Sequence, residues 1–302
     1  MDSLYEYIDN NYNEQLNTKK QYLRNWNTIN DFFDDNELNI ENLSDNDFKE
    51  IILTKLNKNK KNDKENSNSV KLQLLNIFII YRHFIDSIDY KDLESFRNQL
   101  KNNQSTERVK NNKILINELP SQKEVENFMN KQYKDGLWKN YIVNYLLTNF
   151  FTRNTDVNVR LFKDDPKRDD INYIAMPKKT EFIYVRNEYK TKSKYGKKVH
   201  KIKDVKFRNA IRNFLGDDDD KPLFLTKKSV QVSNRDCCWY VSNCTLNEIG
   251  EGKYLKIKLN DINNKTDTLN QVSKISSLRG TSMKHLTSSY NMTQTINDLE
   301  LQ

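Results

Sequence analysis

Glycine and proline are scarce in this chain, and their scarcity limits the folds that it can adopt. The 302 residues include only 6 Gly and 4 Pro. A β-sandwich, a collagen-like chain or a glycine-rich phosphate loop needs more of them, whereas helices form readily where few such residues interrupt the chain. The 14 Phe, 16 Tyr and 3 Trp supply the apolar material for a core. We therefore predict a mainly α protein of the α+β class.

The distribution of apolar residues divides the chain into two domains. Residues 1–104 carry apolar side chains at helical spacing, as at Leu74 and Phe78, and predict a small all-helical domain. Residues 105–114 are polar, which is typical of a linker. We expect a second domain over 115–302, long enough for a core of its own.

Within the second domain the spacing changes from helical to the two-residue alternation of strands. Segments 172–176 and 181–188 alternate in this way, and 199–202 provides a return strand after the turn at Tyr195 and Gly196. We therefore predict a mixed α/β domain that contains a small antiparallel sheet.

Positive charge is concentrated in one part of the sequence. The chain carries 50 Lys and Arg against 42 Asp and Glu, and residues 178–212 hold thirteen of the basic residues but three acids. Such a cluster is typical either of a surface that binds a polyanion or of an ordinary solvated surface. No apolar run approaches the roughly 18 residues of a membrane span, and the amino terminus lacks a secretory signal. We expect an intracellular protein with no membrane association.

Three basic motifs follow one another in the second domain. Arg153 follows an apolar helix and precedes Asp156 by three residues, which predicts that the two side chains pair. Lys190 lies in a basic hairpin that can place an ammonium group in a DNA groove. Arg279 ends the sequence Ser276-Ser277-Leu278-Arg279, which we predict to enter a helix.

This ordered set resembles the catalytic domain of tyrosine recombinases, the phage-integrase family, and especially the divergent integrases of large DNA viruses and virophages. The resemblance covers about 115–302 and implies that 1–104 is a core-binding domain. It implies that Arg153 and Arg279 stabilise charge on a DNA phosphate, with Asp156 as support. It implies that Lys190 protonates the departing 5′ oxygen. Further DNA contacts are predicted for Lys192, which is also the alternative to Lys190, and for Lys194, Lys197 and Lys198.

Two features depart from the family. Ser276 stands where the family has His, and His285 is a weaker candidate for that role. The family's nucleophilic Tyr lies further beyond the second Arg than this sequence extends, and Tyr290 lies too close to Arg279. We therefore expect a chain that is truncated before its nucleophile.

The resemblance implies site-specific cleavage and rejoining of double-stranded DNA through a 3′-phosphotyrosyl intermediate, with a tetrameric synapse if the enzyme is active. That chemistry needs neither a cofactor nor a metal. Three alternatives stay open: a non-catalytic DNA-binding protein, a type IB topoisomerase-like enzyme, and a metal-dependent transposase or nuclease.

The acidic run 217–220 is predicted to be a solvated loop, because adjacent carboxylates repel one another. Three Cys provide no disulfide framework, and Cys237 is expected to pack in a core.

Overall fold

The protein forms two compact units, Met1–Lys110 and Asn111–Gln302, and their division falls inside the predicted linker at 105–114. The computed structural model describes residues 2–11, 16–39, 42–56, 67–85, 91–263 and 268–290. Within these ranges, no helix combines the length and the apolar character needed to cross a bilayer.

The described part of the first unit is helical, and aromatic contacts lie in its core. Phe48 and Phe78 stack with their ring centroids 4.2 Å apart, and both side chains are fully buried. Ser44 caps the third helix by a reciprocal pair of hydrogen bonds with Asp47. The helices are α1 (Asp2–Asn11), α2 (Leu16–Asp35), α3 (Asp45–Glu50) with a π-helical continuation (Ile51–Lys55), α4 (Asn68–Phe84) and α5 (Lys91–Ile116), which crosses into the second unit.

The predicted linker at 105–114 is helical, because it lies within α5. Its residues include Glu, Lys and Arg and contain neither Gly nor Pro, so nothing in the backbone interrupts the helix. Low apolar content indicated a connection between two cores, but it does not imply that the connection lacks regular structure.

The second unit combines helices with one sheet of five strands. Its helices are α6 (Gln122–Lys134), α7 (Trp138–Asn149), α8 (Lys192–Tyr195), α9 (Val205–Leu215), α10 (Cys237–Ser242), α11 (Glu251–Asn263), α12 (Thr268–Arg279) and α13 (Met283–Tyr290), with short 3₁₀ helices at Asn154–Val157 and Leu246–Glu248. Its strands are β1 (Arg160–Phe162), β2 (Tyr173–Lys178), β3 (Glu181–Arg186), β4 (Lys198–Ile202) and β5 (Asp220–Pro222). The predicted fold class, mainly helical with a small sheet, is confirmed.

The three strands predicted from the sequence, β2, β3 and β4, pair antiparallel, and the sheet is mixed because β1, which was not predicted, pairs parallel with β2. Its order is β4-β3-β2-β1-β5, and β1 runs parallel to β2 while the other neighbours are antiparallel. The connection 163–172 is long enough to carry the chain back along the sheet, whereas a tight hairpin would have made β2 antiparallel to β1.

One face of the sheet packs on the helices of the main core. Leu161, Ile174 and Tyr184 belong to this face and are fully buried in the same apolar cluster as residues of α7 and α9. The pairing of β3 with β4 places Tyr184 opposite His200 and Arg186 opposite Lys198. The apolar face therefore ends in two basic side chains at one end of the β3–β4 pair.

Two helix boundaries differ from the sequence-based expectation. Arg279 is the last residue of α12 and does not enter a helix, because Gly280 adopts φ +68° and ends α12. Met283 then begins α13. Arg279 is therefore held in a helix end.

Candidate functional site

Arg153 lies in the turn that follows α7. Its backbone N–H donates to Asp156 Oδ2 at 3.2 Å, which caps the 3₁₀ helix. Its side chain is half-buried, and Nη1 donates to the carbonyl oxygen of Arg279 at 3.3 Å. In the described part of the chain, no carboxylate lies within 4.0 Å of the Arg153 guanidinium. This guanidinium is therefore available to a bound anion.

Arg279 lies next to Arg153, and its guanidinium already has a carboxylate partner. The residue is 2% exposed, and Nη2 donates to Glu251 Oε1 at 2.9 Å. Its Nη1 donates to the carbonyl oxygen of Phe151 at 2.8 Å. Glu251 also accepts the backbone N–H of Asn154. Arg279 thus holds the chain on both sides of Arg153.

Asp156 pairs with Arg186 and not with the Arg153 side chain, which corrects the sequence-based expectation. Both Asp156 and Arg186 are completely buried, and Arg186 Nη2 donates to Asp156 Oδ2. Arg153 shares only its backbone N–H with this carboxylate. The reason is that β3 ends beside the turn and brings a second guanidinium to the acid.

Lys198 is the lysine that the fold places beside these arginines. It stands opposite Arg186 in the β3–β4 ladder, and its Nζ donates to the carbonyl oxygen of Ser277 in the last turn of α12. Burial lowers the pKa of the Lys198 ammonium, and the positive charges of Arg186 and Arg153 act in the same direction. Lys198 is half-buried, so its ammonium is reached from solvent.

Lys190 lies elsewhere in the same connection. It is exposed, and the described contacts of the site do not include it. Its neighbours Tyr189 and Thr191 do contact the site, at the Arg186 guanidinium and at the Gly280 carbonyl oxygen. The role predicted for Lys190 stays a prediction, and the arrangement favours Lys198.

The lysines predicted to contact DNA surround α8. Lys192 pairs with Glu188 at 2.5 Å, and Lys194 lies 5.5 Å from the centre of the Tyr195 ring. Lys197 is exposed. Their contacts with DNA stay predictions.

Ser276 and His285 make hydrogen bonds at the ends of helices α12 and α13. The Ser276 hydroxyl donates to the carbonyl oxygen of Thr281 at 2.5 Å. His285 is exposed, and its backbone N–H donates to Ser282 Oγ at 3.2 Å in the first turn of α13. Tyr290 ends α13, but its side chain lies outside the described residues, as do residues 291–302. The described contacts of Ser276 and His285 are structural, and their catalytic roles stay predictions.

Gly280 brings the 189–198 connection against α12. A Cβ atom at this position would lie 3.0 Å from Tyr189 Cε2 and 3.4 Å from Lys198 Nζ. The Thr191 hydroxyl donates to the Gly280 carbonyl oxygen at 2.6 Å. A residue without a side chain is therefore needed both for its φ angle and for this close approach.

The site carries more positive than negative charge. Its described residues include four cationic side chains and two carboxylates. Asp156 pairs with the buried guanidinium of Arg186, and Glu251 pairs with that of Arg279. The excess charge therefore lies on Arg153 and Lys198, which are both half-buried and open to solvent. A guanidinium and an ammonium at one opening can bind an oxyanion such as a phosphate group.

The acidic run takes no part in this cluster, whereas Cys237 Sγ donates to the carbonyl oxygen of Asn154 at 3.0 Å. Lys163 pairs with Asp219 at 3.0 Å, and Arg160 pairs with Asp220 at 2.8 Å. Burial raises the pKa of the Cys237 thiol to about 12. Among the described residues, no group of three His, Cys, Asp or Glu side chains is arranged to hold a metal ion.

Two residues of the site were not found from the sequence. Arg186 continues the buried face of β3 after Phe182 and Tyr184, so the two-residue alternation already indicated an inward-facing arginine. Glu251 begins α11, a helix for which the sequence interpretation had no prediction. Its contacts with Asn154 and Arg279 join distant parts of the chain, and no local signal marks them.

Comparison with known proteins finds similarity to solved structures. A scan against protein-family models gives no match, and a search of curated proteins gives no relative. Among solved structures, the chain is similar to the crystal structure of XerA recombinase, with a TM-score of 0.36 and 11% identity over 100% of this chain and 96% of that one. At this TM-score the similarity by itself assigns neither a family nor an activity.

Proposed function

We propose that this chain binds double-stranded DNA at its phosphate backbone and exchanges strands by the chemistry of tyrosine recombinases. The observation that carries the proposal is the pair Arg153 and Lys198, two solvent-accessible cations on separate segments above buried, neutralised arginines. An excess of positive charge at one opening suits a single backbone phosphate.

The residue types suit phosphoryl transfer. Arg153 would stabilise the charge that develops on a non-bridging oxygen. In the cleavage step, a tyrosine Oη gives its proton to solvent and forms a bond to phosphorus while the bond from phosphorus to O5′ breaks. Lys198 would give its Nζ proton to O5′, and its lowered pKa eases that transfer.

The nucleophilic tyrosine is left unassigned. Tyr189 contacts the site, with its ring 4.6 Å from the Arg186 guanidinium. Burial raises the pKa of Tyr189, and its hydroxyl donates to the Gly196 carbonyl oxygen at 2.6 Å. A nucleophile needs the opposite tendency, so we do not assign this role to Tyr189.

The salt dependence of DNA binding tests the proposal. We expect log Kd for a duplex to depend linearly on log salt concentration, and the double variant Arg153→Ala/Lys198→Ala to reduce the slope by about 1, because its two cations share one phosphate. Lys163→Ala is the matched control, because Lys163 already pairs with Asp219. If the Kd of the unaltered chain does not change with salt concentration, binding to the phosphate backbone of DNA is excluded.

The burial of Arg279 favours a second candidate, a DNA-binding protein that does not cleave. One of the two guanidiniums expected at the phosphate is 2% exposed and paired with Glu251. A nicked suicide substrate separates the two functions. A covalent protein–DNA adduct that forms in EDTA and is lost in Arg153→Ala supports strand transfer without a metal. Salt-sensitive binding without an adduct supports the second candidate.

A further inference from the structure

We propose that Arg186 is the positioning residue of this site: it holds the segments that carry Arg153 and Lys198 in register, and its charge sets the protonation of Lys198. The inference rests on the proposed function in one respect, because it concerns the same two cations. The buried guanidinium itself would not touch DNA.

The contacts of Arg186 reach three separate segments. Its Nη2 donates to Asp156, which in turn caps the backbone of Arg153. Its Nη1 donates to the carbonyl oxygen of Leu278 at 2.6 Å, in the last turn of α12. Lys198 lies opposite Arg186 in the ladder and donates to Ser277 in that same turn. Movement of the Arg186 guanidinium would therefore disturb both accessible cations.

The pairing of two like charges argues that Arg186 does more than stabilise the sheet. Like charges directly opposite each other in an antiparallel ladder are destabilising, and buried ion pairs are often replaced by apolar groups without loss of stability. On the same face, His200 lies opposite Tyr184. Burial and the charges of Arg186 and Lys198 lower the pKa of His200 to about 4, so this neighbouring pair adds no further positive charge at neutral pH. The position of Arg186 beside Lys198 therefore carries a cost that an apolar residue would avoid.

That charge has a direct consequence for Lys198. Arg186 is the charged group that most lowers the pKa of Lys198, after burial itself. Asp156 opposes it, and Arg153 acts in the same direction. A positive neighbour disfavours the charged form of Lys198 and so eases the release of its proton.

The reactivity of individual lysines measures this effect without any need for DNA cleavage. We would label the full chain with acetic anhydride at a series of pH values and follow the peptide that contains Lys198 by mass spectrometry. In Arg186→Gln, half-maximal reactivity of Lys198 should move to higher pH, because one positive neighbour is gone. In Arg160→Gln, which changes the same residue type three strands away, it should not move.

Arg186→Lys separates charge from geometry. A lysine keeps the positive charge but lacks the fork that reaches Asp156 and Leu278 together. The Lys198 profile should stay near that of the unaltered chain, while duplex affinity falls by about tenfold because Arg153 loses its position. If Arg186→Gln does not fold, Arg186→Gln/Asp156→Asn removes both buried charges, and its Lys198 profile should still move to higher pH.

The outcomes distinguish this inference from the proposed function. An unchanged Lys198 profile in both the Gln variant and the double variant would overturn the role of the Arg186 charge. Full duplex affinity in Arg186→Lys would overturn the positioning role. If the unaltered chain binds no DNA, the proposed function fails, yet the labelling result still decides whether Arg186 controls Lys198.

Discussion

The two units differ in how much polarity they bury. Among the described residues of each unit, Met1–Lys110 buries one polar side chain, Asn25, whereas Asn111–Gln302 buries eleven polar or charged side chains. These include Asp156, Arg186 and Arg279, all 2% exposed or less. Burial of charge is expensive unless each group is paired. The first unit is thus held by apolar packing, and the second maintains a charged site within its core.

The largest effect should come from leaving one buried charge unpaired. Asp156→Ala removes the carboxylate partner of Arg186, and we expect a loss of about 3–5 kcal/mol in the free energy of unfolding. Urea denaturation measures it. Asp220→Ala breaks the half-exposed pair with Arg160 and should cost about 1 kcal/mol or less. Equal losses in the two variants would contradict the distinction between buried and surface pairs.

A smaller effect is expected at Gly280, where the end of α12 packs against residues 189–198. Gly280→Ala places a Cβ atom 3.0 Å from the Tyr189 ring in a residue with φ +68°. We expect a loss of about 1–3 kcal/mol in stability, together with weaker duplex binding because Lys198 is displaced. Gly216→Ala is the control, since it shares a positive φ but has open space around its Cβ position. It should lose stability and retain full affinity.

Stability of the second unit should also depend on pH through His200. Its pKa is lowered to about 4 in the folded chain, below the ordinary value of 6.5. As the pH falls, His200 is therefore protonated in the unfolded chain before it is protonated in the folded chain. The stability that is present above pH 6.5 is lost as the pH falls towards 4. We expect a loss of about 1–2 kcal/mol over that interval, after allowance for partial exposure. In His200→Gln the slope should be smaller, and an unchanged slope would exclude His200 as its source.

The smallest effect should be found in the apolar core of the first unit. Leu75 is fully buried there, and Leu75→Met conserves its volume. We expect a loss below about 1.5 kcal/mol by urea denaturation. The corresponding near-isosteric change in the second unit, Asp156→Asn, removes a charge and should cost more. If Leu75→Met costs more than Asp156→Asn, the comparison between the two units is wrong.

The sequence predicts the apolar parts of this molecule better than its charged site. Helical spacing locates the helices of the first unit, because Leu74 and Phe78 need only a common face. The proximity of Arg153 and Arg279 was expected from the resemblance alone. The choice between Lys190 and Lys198 depends on where β3 ends and how α8 turns the chain, which spacing cannot fix. Glu251 belongs to the site through its contacts with Asn154 and Arg279, which lie far from it in the sequence. The local sequence carries no signal of such contacts.

We expect Arg153 and Lys198 to bind the same phosphate. A double-mutant cycle on duplex affinity tests it directly, with Arg153→Ala, Lys198→Ala and the double variant measured at one salt concentration. If both cations hold one phosphate, the losses should fall short of additivity by about 0.5–3 kcal/mol, because the second substitution removes a contact that the first has already weakened. Losses that add within about 0.3 kcal/mol would show that the two residues act on separate groups and would contradict the account.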